Sequence, residues 1–205
     1  VVGVALGKTG KENNDMKKSL GAKTLLMPAP VWIVGTYDKD GKPNAAAVAW
    51  GGTCGSKPPC VSVSLRAATY THGNIVARKA FTVNVPSAAF AKEADFFGMV
   101  SGRTVDKFKA AGLTPVKSDL VDAPCIREFP LVAECRLYKT VELGLHTMFV
   151  GEILDVNADE SVLDESGSAD IARVAPIIYN THRRTYYGIG GVIGPAFEMG
   201  ESIGK

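Results

Sequence analysis

Residues 28–50 read PAPVWIVGTYDKDGKPNAAAVAW, and the way this stretch divides decides the fold. Its first half, PAPVWIVGTYD, is rich in the β-branched and aromatic side chains that suit a pleated, half-buried surface, so it predicts a strand. DKDGKPN predicts a reversal: Asp40-Gly41 supplies the left-handed backbone position that a tight turn needs, and Pro43 keeps the next strand from pairing too early. The second strand is PNAAAVAWGG, residues 43–52, whose side chains are mostly alanine and valine. Apolar character alone predicts burial there, while small side chains allow a second use, a wall on which a flat ligand lies against main chain. GGTCGSKPP is expected to end that strand with flexible glycines and a proline stop. CVSVSLR then alternates, with Val61, Val63 and Leu65 on one face and Ser62, Ser64 and Arg66 on the other.

Farther along, short helices are interspersed among strands. THGNIVARK predicts a helix entered from Thr71, whose hydroxyl would accept an orphan backbone N–H. FTVNVP is a strand closed by Pro86. SAAFAKEADFFGMV changes to helical period through Phe90, Ala94 and Phe97 behind a Ser87 cap. TVDKFKAAGL predicts a helix ending at Gly112, with Val105 and Phe108 inward and Lys107 on the opposite side. LVAECRLYKTVEL and HTMFVGEILDVNAD, split by Gly144, predict a long antiparallel hairpin, and APIIYN a short strand. Strands outnumber helices and no regular strand-then-long-helix spacing exists, which predicts a mainly β, antiparallel barrel with inserted short helices. There is no GxGxxG after a first strand and no GxxxxGK[ST], so a nucleotide-like ligand must be held by other means.

Composition sets the outer limits. The chain has 205 residues, 46% of them apolar, and a formal net charge of +2 without a basic tract or acidic tail. This predicts one main globular domain and no nucleic-acid partner. The longest apolar runs, APVWIV and AAAVAW, fall far short of the roughly 18–20 residues that span a bilayer, so no membrane partner is expected. Residues 1–15 read as an appended or upstream-derived leader ahead of Met16, leaving 16–205 as the domain with a C-terminal tail. Cys54, Cys60, Cys125 and Cys135 form no CxxC pair and no zinc or iron–sulfur spacing. Cys125 and Cys135 read as buried thiols, Cys54 as a redox or substrate-facing one, and a reduced cytoplasmic setting is expected.

Polar residues gather in two places. Ser62, Ser64 and Arg66 share a strand face, and Thr69, Thr71, His72 and Asn74 follow at a strand-to-helix junction; hydroxyls, an arginine and free N–H groups there either hold a phosphate or cap turns. Ser101, Arg103 and Lys107 repeat that composition. His72, His146 and His182 are too far apart to define a metal site. His146 opens a strand after ELGL, at a position suited to an anion contact, a hydrogen-bond donor or a structural role.

The ordered series APVWIVGTYDKDGKPNAAAVAW, PPCVSVSLR, YTHGNI, FTVNVPS, SGRTVDKF, HTMFVGEI and PIIYN resembles the flavin-reductase-like proteins with an FMN-binding split barrel, within them the flavoredoxin type. The resemblance runs from about Thr24 to Tyr187. It implies a Greek-key split-barrel homodimer with FMN near the subunit interface. It further implies that Ala46, Ala47, Val48, Ala49 and Trp50 lie along the flavin, that Ser64 and Arg66 sit near its tail, and that Thr71, His72 and Asn74 supply donors. Asn84, Ser101, Arg103 and Lys107 match further cofactor-binding positions, and His146 a catalytic position near the flavin or nicotinamide pocket. Family members carry hydroxyl residues where this chain has Ala47 and Ala49, so main-chain groups would do that work.

The implied activity is electron transfer from NAD(P)H or a small redox protein through FMN to an acceptor. Two alternatives stand beside it: an FMN-carrying electron-transfer protein with little NAD(P)H turnover, and a non-enzymatic flavin- or haem-binding sensor.

Overall fold

The computed structural model describes residues 17–203, so the expected leader lies outside the described residues. In chain order the strands are β1 (Ala29–Pro30), β2 (Trp32–Tyr37), β3 (Pro43–Val48), β4 (Gly51–Ser56), β5 (Pro59–Arg66), β6 (Ala80–Val85), β7 (Pro115–Lys117), β8 (Pro124–Ile126), β9 (Leu131–Leu143), β10 (His146–Ala158), β11 (Ile178–Asn180) and β12 (Thr185–Tyr187). Helices α1 (Tyr70–Arg78), α2 (Ala91–Met99), α3 (Lys107–Ala111) and α4 (Ile171–Val174) fill the connections. Seven of the strands form one curled antiparallel sheet in the order β3-β2-β6-β9-β10-β5-β4. β1 pairs with β11, which pairs with β12, and β7 pairs with β8. This is the mainly β split barrel with short inserted helices that the sequence predicts.

The two edge strands are successive pieces of one segment, β3 and β4, separated only by Ala49 and Trp50. The Ser64 N–H donates to the Trp50 carbonyl oxygen at 2.8 Å across that break, so the sheet closes on itself through its own chain. The glycine-rich 51–56 stretch is therefore a paired strand, contrary to the flexible end expected of it. Gly51 is needed there because a Cβ would meet the Trp32 ring at 2.8 Å and the Ser62 carbonyl oxygen at 2.9 Å.

Two apolar clusters share the sheet. Val34, Val48, Val61, Val63, Leu65, Phe81 and Phe149 fill the barrel interior. Ile33, Ala45, Phe97, Phe108, Ile126 and Phe129 form a second layer outside it, under α2 and α3. β2 and β3 are thus covered on both faces, which is why VWIV and AAAV are continuous apolar runs while VSVSL alternates. Burying the interior valines and phenylalanines stabilises the fold by about 1.5–3 kcal/mol each.

The turn after β2 follows its expected chemistry. Gly41 has φ of 81°, and the Asp38 carboxylate accepts the N–H groups of Asp40 and Lys42, each at 2.9 Å. Burial pushes the Asp38 carboxyl up, but the Tyr70 hydroxyl and those two N–H groups outweigh it and hold its pKa below the ordinary value. Several helix starts differ from expectation. Thr69, not Thr71, caps α1, its hydroxyl accepting the His72 N–H at 3.3 Å. Ser87 makes no side-chain cap, because a single 3₁₀ turn, residues 88–90, precedes α2. α3 starts only at Lys107, capped by Asp106, and Lys107 faces inward.

Gly35 gives a direct test of the double burial of β2. A methyl group there would overlap the Pro124 carbonyl oxygen and the Thr82 hydroxyl, which are hydrogen-bonded to each other at 2.6 Å. Gly35→Ala is expected to lower the unfolding free energy by about 1–3 kcal/mol, measured as a lower urea midpoint at unchanged slope.

Candidate functional site

β3, the start of α1 and the 97–103 segment enclose a cleft of about 480 Å³. Asn44, Ala46 and Ala47 form one wall, Leu65, Arg66 and residues 68–71 the end of the barrel, and residues 97–103 with Lys107 the opposite side. The volume falls in the range of ligand clefts, roughly 300–1,000 Å³. The wall is small for a structural reason: α2 ends at it, and a Cβ on Gly98 would already sit 3.3 Å from the Ala47 methyl.

The charge in the cleft has one sign. Arg66 and Arg103 stand at the exposed mouth. Arg103 donates to the Ala68 carbonyl oxygen at 2.9 Å and lies over the Tyr70 ring at 5.3 Å, which orients its guanidinium. α1 begins at the cleft, so the positive end of its dipole adds to theirs. Lys107 is almost fully buried behind the wall, its ammonium donating to the Ala45 and Phe97 carbonyl oxygens, each at 2.8 Å. Burial lowers its pKa from 10.5 to about 8, so it still carries its charge at neutral pH.

Beneath the same wall lies a buried polar network. Asn44 donates to Thr71 at 2.9 Å and to Thr36 at 3.3 Å, and Asn74 donates to Thr36 at 3.1 Å. The Asn44 Oδ1 atom is buried without a hydrogen-bond partner among the described residues, and a Cβ on Gly102 would collide with it.

Beyond the cleft, Val31, Ala47, Val48, Ala49, Tyr179 and Tyr186 line a slot of about 140 Å³ along the same strand. The Tyr186 hydroxyl donates to Asp95 at 2.7 Å, and burial together with that bond raises its pKa above the ordinary tyrosine value.

Ala46, Ala47, Arg66, Thr71, Ser101, Arg103 and Lys107 thus meet in one cleft, while Val48 and Ala49 border the slot and Trp50 a neighbouring groove. Lys107 reaches the cleft from the buried side, since its two carbonyl partners lie inside. Other positions implied by the resemblance turn elsewhere. His72 Nε2 is 2.9 Å from the Thr147 hydroxyl, and the ring packs edge-on against Phe149. Thr147 gives its own proton to Glu142 at 3.0 Å, so His72 carries its proton on Nε2 and is not an open ligand for haem iron. Asn74 serves the buried network, and Ser64 lies within β5 opposite Met148. Asn84 is fully buried: it donates to the Ile33 carbonyl oxygen and the Thr82 hydroxyl, each at 2.9 Å, and accepts the Ile126 N–H at 2.8 Å. Its whole amide is used in joining β2 to β8, away from the cleft lining. His146 pairs with Arg66 across β5 and β10, beside the cleft mouth and outside its lining. Asn44, Tyr70 and Gly102 are cleft residues that the sequence reading does not single out; the available signal is a lone asparagine at the head of an otherwise apolar strand.

The flavin reductase like domain family matches residues 24–190, and the chain belongs to that family. It is 49% identical to the flavoredoxin of Desulfovibrio vulgaris (Miyazaki F), with a TM-score of 0.87 over 91% of this chain and 100% of that one. Flavoredoxin from Methanosarcina acetivorans is 30% identical, with a TM-score of 0.84 over 91% of this chain and 99% of that one. An uncharacterized protein of Aquifex aeolicus (strain VF5) is 31% identical over 159 residues, covering 75% of this chain and 81% of the relative. At the level of the family, the function is FMN-linked and redox-related.

The buried lysine yields a signed prediction. Between about pH 8 and 10.5 the folded chain releases the Lys107 proton while the unfolded chain keeps it, so wild-type stability rises with pH across that window relative to Lys107→Met. The gain is expected to reach about 1–3 kcal/mol in denaturant unfolding at pH 7.5 and 10, and parallel pH curves would contradict it.

Proposed function

We propose that this protein is an FMN-carrying electron-transfer protein of flavoredoxin type, exchanging electrons with a small redox protein and turning over little NAD(P)H. The observation that carries this reading is 49% identity along the whole of a flavoredoxin, together with a cleft whose residues suit FMN. FMN, when bound, supplies one- and two-electron transfer.

The residues present fit that cofactor. Ala46 and Ala47 keep the wall low enough for a flat ring to reach main chain, which answers the missing hydroxyls at 47 and 49. Arg66, Arg103, Ser101 and the first turn of α1 are the donors for a phosphate dianion, and guanidinium groups match its geometry. Lys107 keeps a positive charge behind the wall at neutral pH and so favours added negative charge in the cleft. Met99, 72% exposed on the rim, offers an apolar contact to a docking partner. A reducing, cytoplasmic setting suits the four free cysteines.

Two measurements test this. Purified with FMN, the protein should carry one yellow chromophore per chain, and anaerobic stopped-flow mixing should show bleaching by a reduced small iron–sulfur protein at least tenfold faster than by NADH or NADPH. Faster bleaching by a nicotinamide would make the protein a reductase. Arg103→Ala should raise the FMN Kd roughly ten- to a hundredfold in a fluorescence-quenching titration, and an unchanged Kd would remove Arg103 from the phosphate site.

A further inference from the structure

We propose that the surface built by residues 17–27 and 176–187 is the docking face for the acidic side of a small redox protein, an inference that rests on the electron-transfer function proposed above. The two segments read KKSLGAKTLLM and PIIYNTHRRTYY. They contain Lys17, Lys18, Lys23, His182, Arg183 and Arg184, and no aspartate or glutamate. The whole chain carries +2, so with five full positive charges gathered here the remainder nets −3. Such a separation of charge turns one face of the molecule toward anions.

The fold brings the two segments together from opposite ends of the chain. The Thr181 hydroxyl donates to the Thr24 carbonyl oxygen at 2.9 Å, and β1 pairs with β11 behind them. The turn that carries the arginines is fixed: the Asn180 side chain accepts the N–H groups of His182 and Arg183, each at 3.1 Å, and the Asn180 carbonyl accepts that of Arg184 at 2.9 Å. Arg184 has φ of 54°, a left-handed position that favours glycine or asparagine, so the turn itself does not call for arginine there. Lys23, His182 and Arg184 line one cavity of about 600 Å³. All five lysine and arginine residues are exposed, and none has an anionic partner among the described residues.

Location and form decide which anion fits. The basic cavity shares Lys23 and Thr24 with the groove at Ala49 and Trp50, that groove shares Ala49 with the tyrosine slot, and the slot shares Ala47 with the cleft. The patch therefore stands at one end of the wall strand, with Arg66 and Arg103 at the other, and a partner seated on it lies beside the wall proposed for the flavin. The charges are spread over an open surface and do not converge on one point as the donors of a free phosphate do. They stand on an extended segment and a strand pair, unlike the amphipathic helix that lies in a bilayer surface. Leu20 and Leu26, 58% and 91% exposed, sit among the cations and supply the apolar contacts of a protein interface. Electron-transfer encounters are small and transient, and complementary charge sets their rate.

The probe is a purified acidic two-cluster ferredoxin, titrated calorimetrically into the full-length protein purified with FMN. Charge reversal in the patch, Lys23→Glu with Arg183→Glu and Arg184→Glu, is expected to raise Kd roughly tenfold or more at about 20 mM salt, a difference that vanishes at about 500 mM. An equal reversal at exposed lysines elsewhere, Lys57→Glu with Lys117→Glu and Lys139→Glu, should raise it less than about threefold. Both variants should keep the far-UV circular dichroism and FMN content of the wild type, and bleaching by the reduced ferredoxin should slow in the patch variant alone. No binding by the wild type, equal loss in both variants, unslowed bleaching in the patch variant, or binding to phosphatidylserine vesicles in place of the ferredoxin would overturn the docking face. Patch-dependent binding without bleaching would uphold the docking face and overturn the electron-transfer function instead.

Discussion

The Lys107 ammonium holds together the three pieces on which everything near the cleft depends. Its two hydrogen bonds reach the Ala45 carbonyl in the wall strand and the Phe97 carbonyl in the last turn of α2, while its own backbone starts α3. α2 ends with carbonyls that lack intrahelical partners, and a cation there satisfies one of them and complements the helix dipole. The amine is buried at a cost visible in its lowered pKa, and a charged group so placed persists only where its hydrogen bonds offset desolvation. The same bonds fix how closely α2 approaches β3, and hence why alanine stands at 45 and 47 and glycine at 98.

The wall strand then serves two cores and one cleft. Ala45 belongs to the outer layer and Val48 to the barrel interior, so those two positions of β3 are given to packing. At Asn44, Ala46 and Ala47 the strand borders the cleft, and what the two alanines offer there is main chain with little side chain in front of it. Specific polar chemistry must come from the other walls, which is where Arg66, Ser101 and Arg103 stand. The division of labour follows from the geometry: the strand gives shape, and the loops give charge.

Much of this is legible in the amino-acid sequence. The hairpin around Gly41 and the long hairpin around Gly144 follow from turn chemistry and period, and both glycines take positive φ. The gathering of Arg66, Thr71, Ser101, Arg103 and Lys107 is legible only through the order of the motifs, because these residues lie on two separate connections, β5 to β6 and β6 to β7. The departures share a cause. Lysines usually face solvent, and no pattern in five helical residues reveals the second apolar layer, outside the sheet, that takes Lys107 inward. Gly51–Ser56 reads as a flexible end because the reason for its first glycine is the Trp32 ring, a contact distant in sequence. His72, Asn74 and Asn84 have the chemistry of ligand donors but satisfy buried groups of the barrel, and sequence cannot tell which of two buried needs a polar side chain meets.

The central claim is that the β3 wall and the 97–103 segment hold FMN, with the phosphate toward the two arginines. A crystal structure of the protein grown with FMN tests it most directly. Density for the ring system against the main chain at Ala46 and Ala47, with phosphate density within hydrogen-bond distance of Arg66 or Arg103, is the result this account predicts. FMN density elsewhere on the protein, with this cleft filled only by solvent, would contradict it.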